Sequence, residues 1–434
     1  MTVDLAPVLT YGGLMLAAAT LSLALIVRKD LAGAGGGRLF LAGGLGIGLI
    51  AFGIKLAVIA AIASFPAQTI APLLDDGPRT APPPRRPLPE PTRSLEPAPR
   101  FSSLPAHVPA PQDNPPTSAK AALGERLFHD PALSADRTVS CASCHDVREG
   151  AGADGRATAL GVGGAPGRRN TPTVFNVAYQ ARLFWDGRAT SLEQQVLGPL
   201  LNPAEMAMPS VAAVVERIAA DSDYRPLFDE AFGPGSPIII DRIAQALASF
   251  ERTLITADSP YDRFVAGDEA ALTVPQKRGM WLFDTLGCAT CHAGPNFSGA
   301  SLVGPRRPFQ QLLVDRSPLA ARYGLGEDKG AAGAGAKAGV WRIPSLRNVA
   351  LTGPWFHNGA VSDLSEAVRI MATAQLGATL EDSPQARLWW SADNRAFASH
   401  QRRHVSPRDV ADLVAFLHAL SSDRLAARLR KDHH

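Results

Sequence analysis

Cys141-Ala-Ser-Cys144-His145 and Cys288-Ala-Thr-Cys291-His292 decide how this chain is read. They contain all four cysteines of the 434 residues. C-x-x-C-H is the attachment signature of c-type haem. Two thiols two residues apart can each form a thioether to one porphyrin, and the adjacent His then reaches the iron. A lone motif also fits a redox dithiol or a Cys/His zinc site. Two copies with no cysteine left over favour two covalently bound haem c groups, held by Cys141, Cys144 and His145 and by Cys288, Cys291 and His292.

Outward from the motifs, periodicity is helical and strand alternation is scarce. Ser118–Phe128 reads as a helix, and so does Ile238–Ile255, with Ile239, Ile243, Leu247 and Phe250 on one face. Thr273 caps a helix that has Pro275 in its first turn and runs to Phe283. Asp363–Thr373 follows the same pattern. Ser406-Pro407-Arg408-Asp409 opens the last helix, with Ser406 as cap. Gly-rich loops lie at 149–169 and 324–339. The expected fold is mostly α: two cytochrome-c-like haem domains, 117–262 and 263–434, preceded by a two-helix transmembrane hairpin and a Pro-rich linker.

The hairpin is expected at 1–65. Leu5–Val27 is uncharged, and Leu39–Phe65 carries Lys55 alone. Each run exceeds the ~20 residues that span a bilayer. Arg28, Lys29 and Arg38 put the connecting loop in the cytoplasm, so the remaining chain faces outward. Lys55 is expected to snorkel to the interface. Residues 66–116 hold 16 of the 36 prolines and read as a disordered linker. The net charge of +3 is too balanced for a nucleic-acid-binding face. Four cysteines are too few for a disulfide scaffold. These features predict a bacterial inner-membrane anchor, a lipid-bilayer partner and a body in the periplasm.

Several stretches in fixed order resemble the bacterial di-haem cytochrome c peroxidases, including the relatives that mature tryptophan tryptophylquinone. They are LGERLFHDPALSADRTVSCASCHD (123–146), RRNTPTVFN (168–176), LFWDGRATSLEQQVLGPLLNPAEM (183–206), LFDTLGCATCHAGPNFS (282–298), RIPSLRNVALTGPWFHNGAV (342–361) and MATAQLG (371–377). The resemblance runs from about 118 to about 420. It implies reduction of H2O2 at the N-terminal haem, with electrons entering at the C-terminal haem. The donor would be a small cytochrome c or a cupredoxin, with quinol as a further option. His145 and His292 would be the proximal ligands. Met371, at the family's interval after His357, would be the sixth ligand of the electron-entry haem; Met206, Met208 and Met280 are rivals outside any equivalent motif. Glu205 would be the acid/base, Gln195 would position peroxide, and Trp185 would lie between the haems. Asn170, through its side chain, and the carbonyls of Thr352 and Pro354 would hold a calcium ion. Family members commonly form homodimers.

One position departs from the family pattern. Many members carry an iron-binding His where this chain has Val162. Val cannot bind iron, so the peroxide haem is expected to be open and active without prior reduction. A distant His brought in by a loop shift, such as His107 or His129, would be needed to replace that ligand. Two other functions fit the resemblance. One is maturation of a partner's tryptophylquinone, in relatives that use Tyr where this chain has Met371. The other is electron carriage without catalysis, which the Glu205/Gln195 pair argues against.

Overall fold

The computed structural model describes residues 101–431 apart from 305–306, 332–338 and 382–403, all within the unit Ser94–His434. The predicted hairpin at 1–65, with Lys55, and residues 66–100 of the predicted linker lie outside the described residues. Among the described residues no helix is long and apolar enough to cross a membrane.

Helix ends follow the capping residues in the sequence. Thr117 caps α1 (Ser118–His129) by accepting from the Lys120 amide. The first haem motif forms α2 (Cys141–Cys144). Ser191 caps α3 (Leu192–Leu201). Next come α4 (Val211–Ala219), α5 (Tyr224–Phe232), α6 (Ile240–Glu251) and α7 (Pro260–Val265). A Thr273/Gln276 capping box opens α8 (Val274–Thr285). Short α9 (Pro318–Arg322) precedes α10 (Leu364–Ala374), which Asp363 caps. A Ser406/Asp409 box opens α11 (Pro407–Ala419), and α12 (Asp423–Lys431) ends the described chain. Strands are few and short. β1 (Phe309–Gln311) pairs antiparallel with β2 (Val340–Arg342), and β3 (Thr379–Leu380) pairs parallel with β4 (His404–Val405).

Two expectations need correction. The Ile238–Ile255 helix is shorter at both ends, and Ile239 is its exposed cap rather than part of the buried stripe. Beyond Arg252 the chain leaves the helix to carry Thr256 into the interior. The end of the predicted linker, 101–116, packs on the body. Phe101 stacks against Phe297 and Phe416, and Leu104 is buried. Tyr179 Oη donates to the Pro105 carbonyl (2.7 Å), and buried Asn114 donates to Glu193 (2.8 Å).

There are two main apolar cores. One gathers Leu123, Leu127, Phe128, Ile218, Phe228, Ile243, Leu247 and Phe250. The other gathers Phe283, Phe297, Ile370, Leu413, Phe416 and Leu420. Each is built on a close helix crossing. A Cβ on Gly124 of α1 would strike the Ala246 carbonyl and Phe250 of α6. A Cβ on Gly279 of α8 would strike the Asp412 carbonyl and Phe416 of α11. Glycine is required at both crossings because the backbones touch there.

The halves repeat a second element. Asn176 and Asn348 are buried with left-handed φ of 61° and 60°. Each opens a short 3-10 turn, Val177–Tyr179 and Val349–Leu351. Eight residues on, Phe184 and Phe356 take left-handed turns at 63° and 67°, just before Trp185 and His357. The bridges Leu183↔Ala189 and Trp355↔Val361 match in the same register. Both asparagines converge on one hydroxyl: Thr256 Oγ1 accepts from Asn176 Nδ2 (2.7 Å) and Asn348 Nδ2 (3.0 Å). The Thr256 and Ser422 amides complete the clasp on the two asparagine oxygens, each at 2.9 Å.

Two stability predictions follow. Thr256→Val keeps the shape but strands two buried amide donors. The expected loss is about 1–3 kcal/mol per stranded group, read by denaturant unfolding of the holoprotein. Arg347 is 2% exposed and grips Asp262 through both terminal nitrogens at 3.0 and 2.9 Å. Arg347→Leu leaves that carboxylate buried and unpaired, with an expected cost of about 3–5 kcal/mol in the same assay.

Candidate active site

One cavity of about 970 Å³ reaches both C-x-x-C-H motifs. Its wall includes Cys141, Cys144 and His145 from one half and Cys288, Cys291 and His292 from the other. None of the four cysteines forms a disulfide. Burial pushes Cys141 up to about 12 and Cys144 up to about 11, and raises Cys291 as well. Redox dithiols need the opposite, a depressed thiolate pKa. Among the described residues no group of three or more His, Cys, Asp or Glu side chains is placed to hold a metal ion, as a zinc site requires.

The two histidines are prepared alike. His145 Nδ1 faces the Gly152 carbonyl and His292 Nδ1 the Phe297 carbonyl, both at 3.2 Å. That contact fixes Nδ1 as the protonated nitrogen and leaves Nε2 as the ligand atom. Burial keeps both imidazoles neutral, lowering His145 and taking His292 to about 4. Two thiols and a neutral imidazole from each motif, in a largely apolar wall, fit two haem c groups.

The other predicted residues also reach this cavity. Gln195 lies on α3, and Glu205 lies in the turn after it. Burial raises the Glu205 carboxyl, opposed by a 2.6 Å hydrogen bond from Asn202 Nδ2. Val162 is tied to this turn, its amide donating to the Glu205 carbonyl at 2.9 Å. Gly161 touches the same backbone and has no room for a Cβ. Val162 itself is not in the cavity wall, and neither are His107 and His129. Met371 lies on α10 and lines the cavity. Of its rivals, Met206 lines the cavity from the N-terminal core, whereas Met208 and Met280 do not line it.

The repeat sets these residues in register. Counting from Asn176 and Asn348, Trp185 matches His357, Gln195 matches Ala367, and Pro199 matches Met371. Pro199 and Met371 both line the cavity. One half thus offers a thioether where the other offers a ring with no donor atom.

Trp185 is held from both halves. Its indole N–H donates to the Asn170 carbonyl (2.8 Å), and its own carbonyl accepts from the Arg342 amide (2.9 Å). It meets Trp341 and His357 edge-on, with centroids 6.5 and 6.4 Å apart. Trp341 and His357 stack at 4.0 Å and 16°. Arg169 covers Trp341 and is pinned by Asp186 and Asp328, both at 2.7 Å. Sequence reasoning missed Trp341, Arg169 and the buried Glu251, which also lines the cavity. Asn170, Thr352 and Pro354 line it too. The Asn170 amide nitrogen donates to the Arg156 carbonyl (2.8 Å), so the side-chain oxygen is the atom not used in that bond.

Comparison with known proteins agrees with this geometry. The family model described as di-haem cytochrome c peroxidase matches residues 118–270. Cytochrome c peroxidase Ccp of Escherichia coli is 40% identical over 72% of this chain and 60% of its own length. Cytochrome c551 peroxidase of Pseudomonas aeruginosa is 37% identical over 74% of this chain and 84% of its own. The crystal structure of a MauG-like protein associated with microbial copper homeostasis superposes with a TM-score of 0.60 at 32% identity, covering 75% of this chain and 97% of that one. With its paired haem motifs opening on one cavity, this chain belongs to the di-haem cytochrome c peroxidase family.

Proposed function

We propose that this chain reduces hydrogen peroxide to water in the periplasm, with electrons from a small cytochrome c or cupredoxin. The observation that carries this reading is the single cavity joining two unlike halves. One half contributes Gln195, Glu205 and donorless Pro199; the other contributes Met371. Two haem c groups, bound through the cysteines and His145 and His292, would supply one iron for peroxide and one for electron entry. Met371 would be a thioether ligand, which raises a haem's potential and suits it to accept electrons.

The chain's own residues move the proton. Glu205 takes a proton from one peroxide oxygen and returns it to the departing water. Asn202 fixes the carboxyl that does this, and Gln195 orients peroxide. Trp185 bridges the halves for electron transfer. Neither Val162 nor Pro199 offers an iron ligand, so no reductive activation is needed. Asn170 Oδ1 and the carbonyls of Thr352 and Pro354 would hold calcium with neutral oxygens. Residues 1–65 would anchor the body to the inner membrane, with 66–100 as tether. Met371 favours this reading over tryptophylquinone maturation.

Electron paramagnetic resonance of the oxidised holoprotein tests the open haem. A high-spin ferric signal beside a low-spin one is expected, with the high-spin signal lost on adding peroxide without reductant. Two low-spin haems inert to peroxide would overturn the reading. Glu205→Gln is expected to lower turnover by about 10²–10⁴-fold with haem content unchanged. Glu205 must be ionised to accept its proton, and its pKa is raised. Wild-type turnover should therefore fall on the acid side through a value above 4.5, the ordinary carboxyl value. A rate profile flat across that range would remove Glu205 from this role.

A further inference from the structure

The proposed reaction consumes two protons as well as two electrons. Glu205 moves a proton that peroxide already carries, so it supplies neither of them. A separate acid is required near the first haem motif, and the structure holds one. Glu251, the last residue of α6, lines the cavity and is 7% exposed. Its Oε2 has no hydrogen-bond partner within the protein. Glu205 and Cys141 of the first haem motif line the same cavity.

We propose that Glu251 is a proton-donating acid of the peroxide-haem cavity, distinct from the Glu205 shuttle. This rests on the peroxidase reading above. In each cycle Glu251 would give up its O–H proton twice, being reprotonated from solvent after each transfer, and these two protons with two electrons turn the second peroxide oxygen into water. Electrons come from the donor, so the step balances.

The surroundings keep this acid neutral. Burial is the main cause and pushes it up to about 8, with Glu193 adding to the shift and Arg252 opposing it. Arg252 is held by Glu193 instead, at 2.8 Å. Helices α1, α3 and α4 pack against α6. From α1, Lys120 turns away to Asn114 and the Pro115 carbonyl, each at 3.1 Å. From α4, Arg217 donates to the carbonyls of Ala132, Ser134 and Ala135. From α3 comes Glu193, whose side chain is 20% exposed and whose Oε2 is also unpartnered. A carboxyl whose folded pKa is raised binds extra protons in the native state between its two values. Here that window runs from 4.5 to about 8, and stability falls as pH rises through it. The fold therefore favours the protonated form at neutral pH.

The test compares the wild-type holoprotein with Glu251→Gln, which mimics the neutral carboxyl. An infrared protonated-carboxyl band is expected at neutral pH in the wild type, fading near pH 8 and absent from the variant. Wild-type turnover should fall about tenfold per unit on the alkaline side. The variant should lose this limb and turn over about tenfold more slowly at neutral pH, with unchanged haem spectra. No such band in the wild type, or an unmoved alkaline limb in the variant, overturns the inference. If Glu251→Gln does not take up haem, Glu251→Asp replaces it. A displaced limb then supports the inference and an unmoved one overturns it. A wild type inert to peroxide overturns the peroxidase reading instead, and the infrared band still reports on Glu251.

Discussion

Thr256 Oγ1 receives the side-chain amides of Asn176 and Asn348, and the site depends on this buried clasp. Each asparagine opens a 3-10 turn in the left-handed region and leads into a wall of the cavity. One hydroxyl thus fixes the origin from which both walls are measured. Both asparagine oxygens, one N–H of each side-chain amide and the Thr256 hydroxyl oxygen are hydrogen-bonded, and the low dielectric strengthens such bonds. Displacing either half would unpair several buried groups together. That cost makes the spacing between the haem motifs a property of the fold.

A repeated frame allows function to arise from divergence. The helix crossings at Gly124 and Gly279 are equivalent, and so are the carbonyl contacts to the two histidines. The chemistry differs only at positions the frame holds constant. Pro199 against Met371 separates a face without a ligand from one with a thioether. Gln195 against Ala367 puts an amide in one half alone. Trp185 against His357 puts unlike aromatics at the meeting of the halves. Two haem groups in identical pockets would have similar potentials and no reason to pass electrons one way. The proposed direction of flow needs such single-residue asymmetry, because axial ligation sets much of a haem's potential.

How much of this the sequence could carry depended on the range of the interaction. C-x-x-C-H is local covalent geometry and is legible at once. The caps at Thr273, Asp363 and Ser406 are equally local, and the structure keeps them. Composition misled at 101–116, where the prolines suggest a tether. The few apolar and amide groups among them, Phe101, Leu104 and Asn114, found partners far along the chain. The repeat was hidden because it rests on Asn-Val pairs and turn positions rather than extended identity. Trp341 and Glu251 could not be singled out, since an isolated tryptophan or glutamate gains meaning only from burial and neighbours.

The aromatic cluster shows why such neighbours matter. A cation over an indole makes removing an electron from that ring harder, and Arg169 lies 5.0 Å from the Trp341 centroid. Left alone it would oppose electron transfer through the cluster. Asp186 and Asp328 bind it from opposite halves of the chain, and Arg188 shares Asp186. Within this ion-pair set two guanidinium charges meet two carboxylate charges, so the charge over the ring is compensated. The same ion pairs tie Trp185's loop to the segment that carries Trp341, as does Arg342, whose side chain donates to the Phe184 carbonyl at 2.8 Å. Compensation of the Arg169 charge and rigidity come from one set of contacts. A bridge between two irons needs both, since a net charge would trap or repel the electron and a loose ring would vary the distance it must cross.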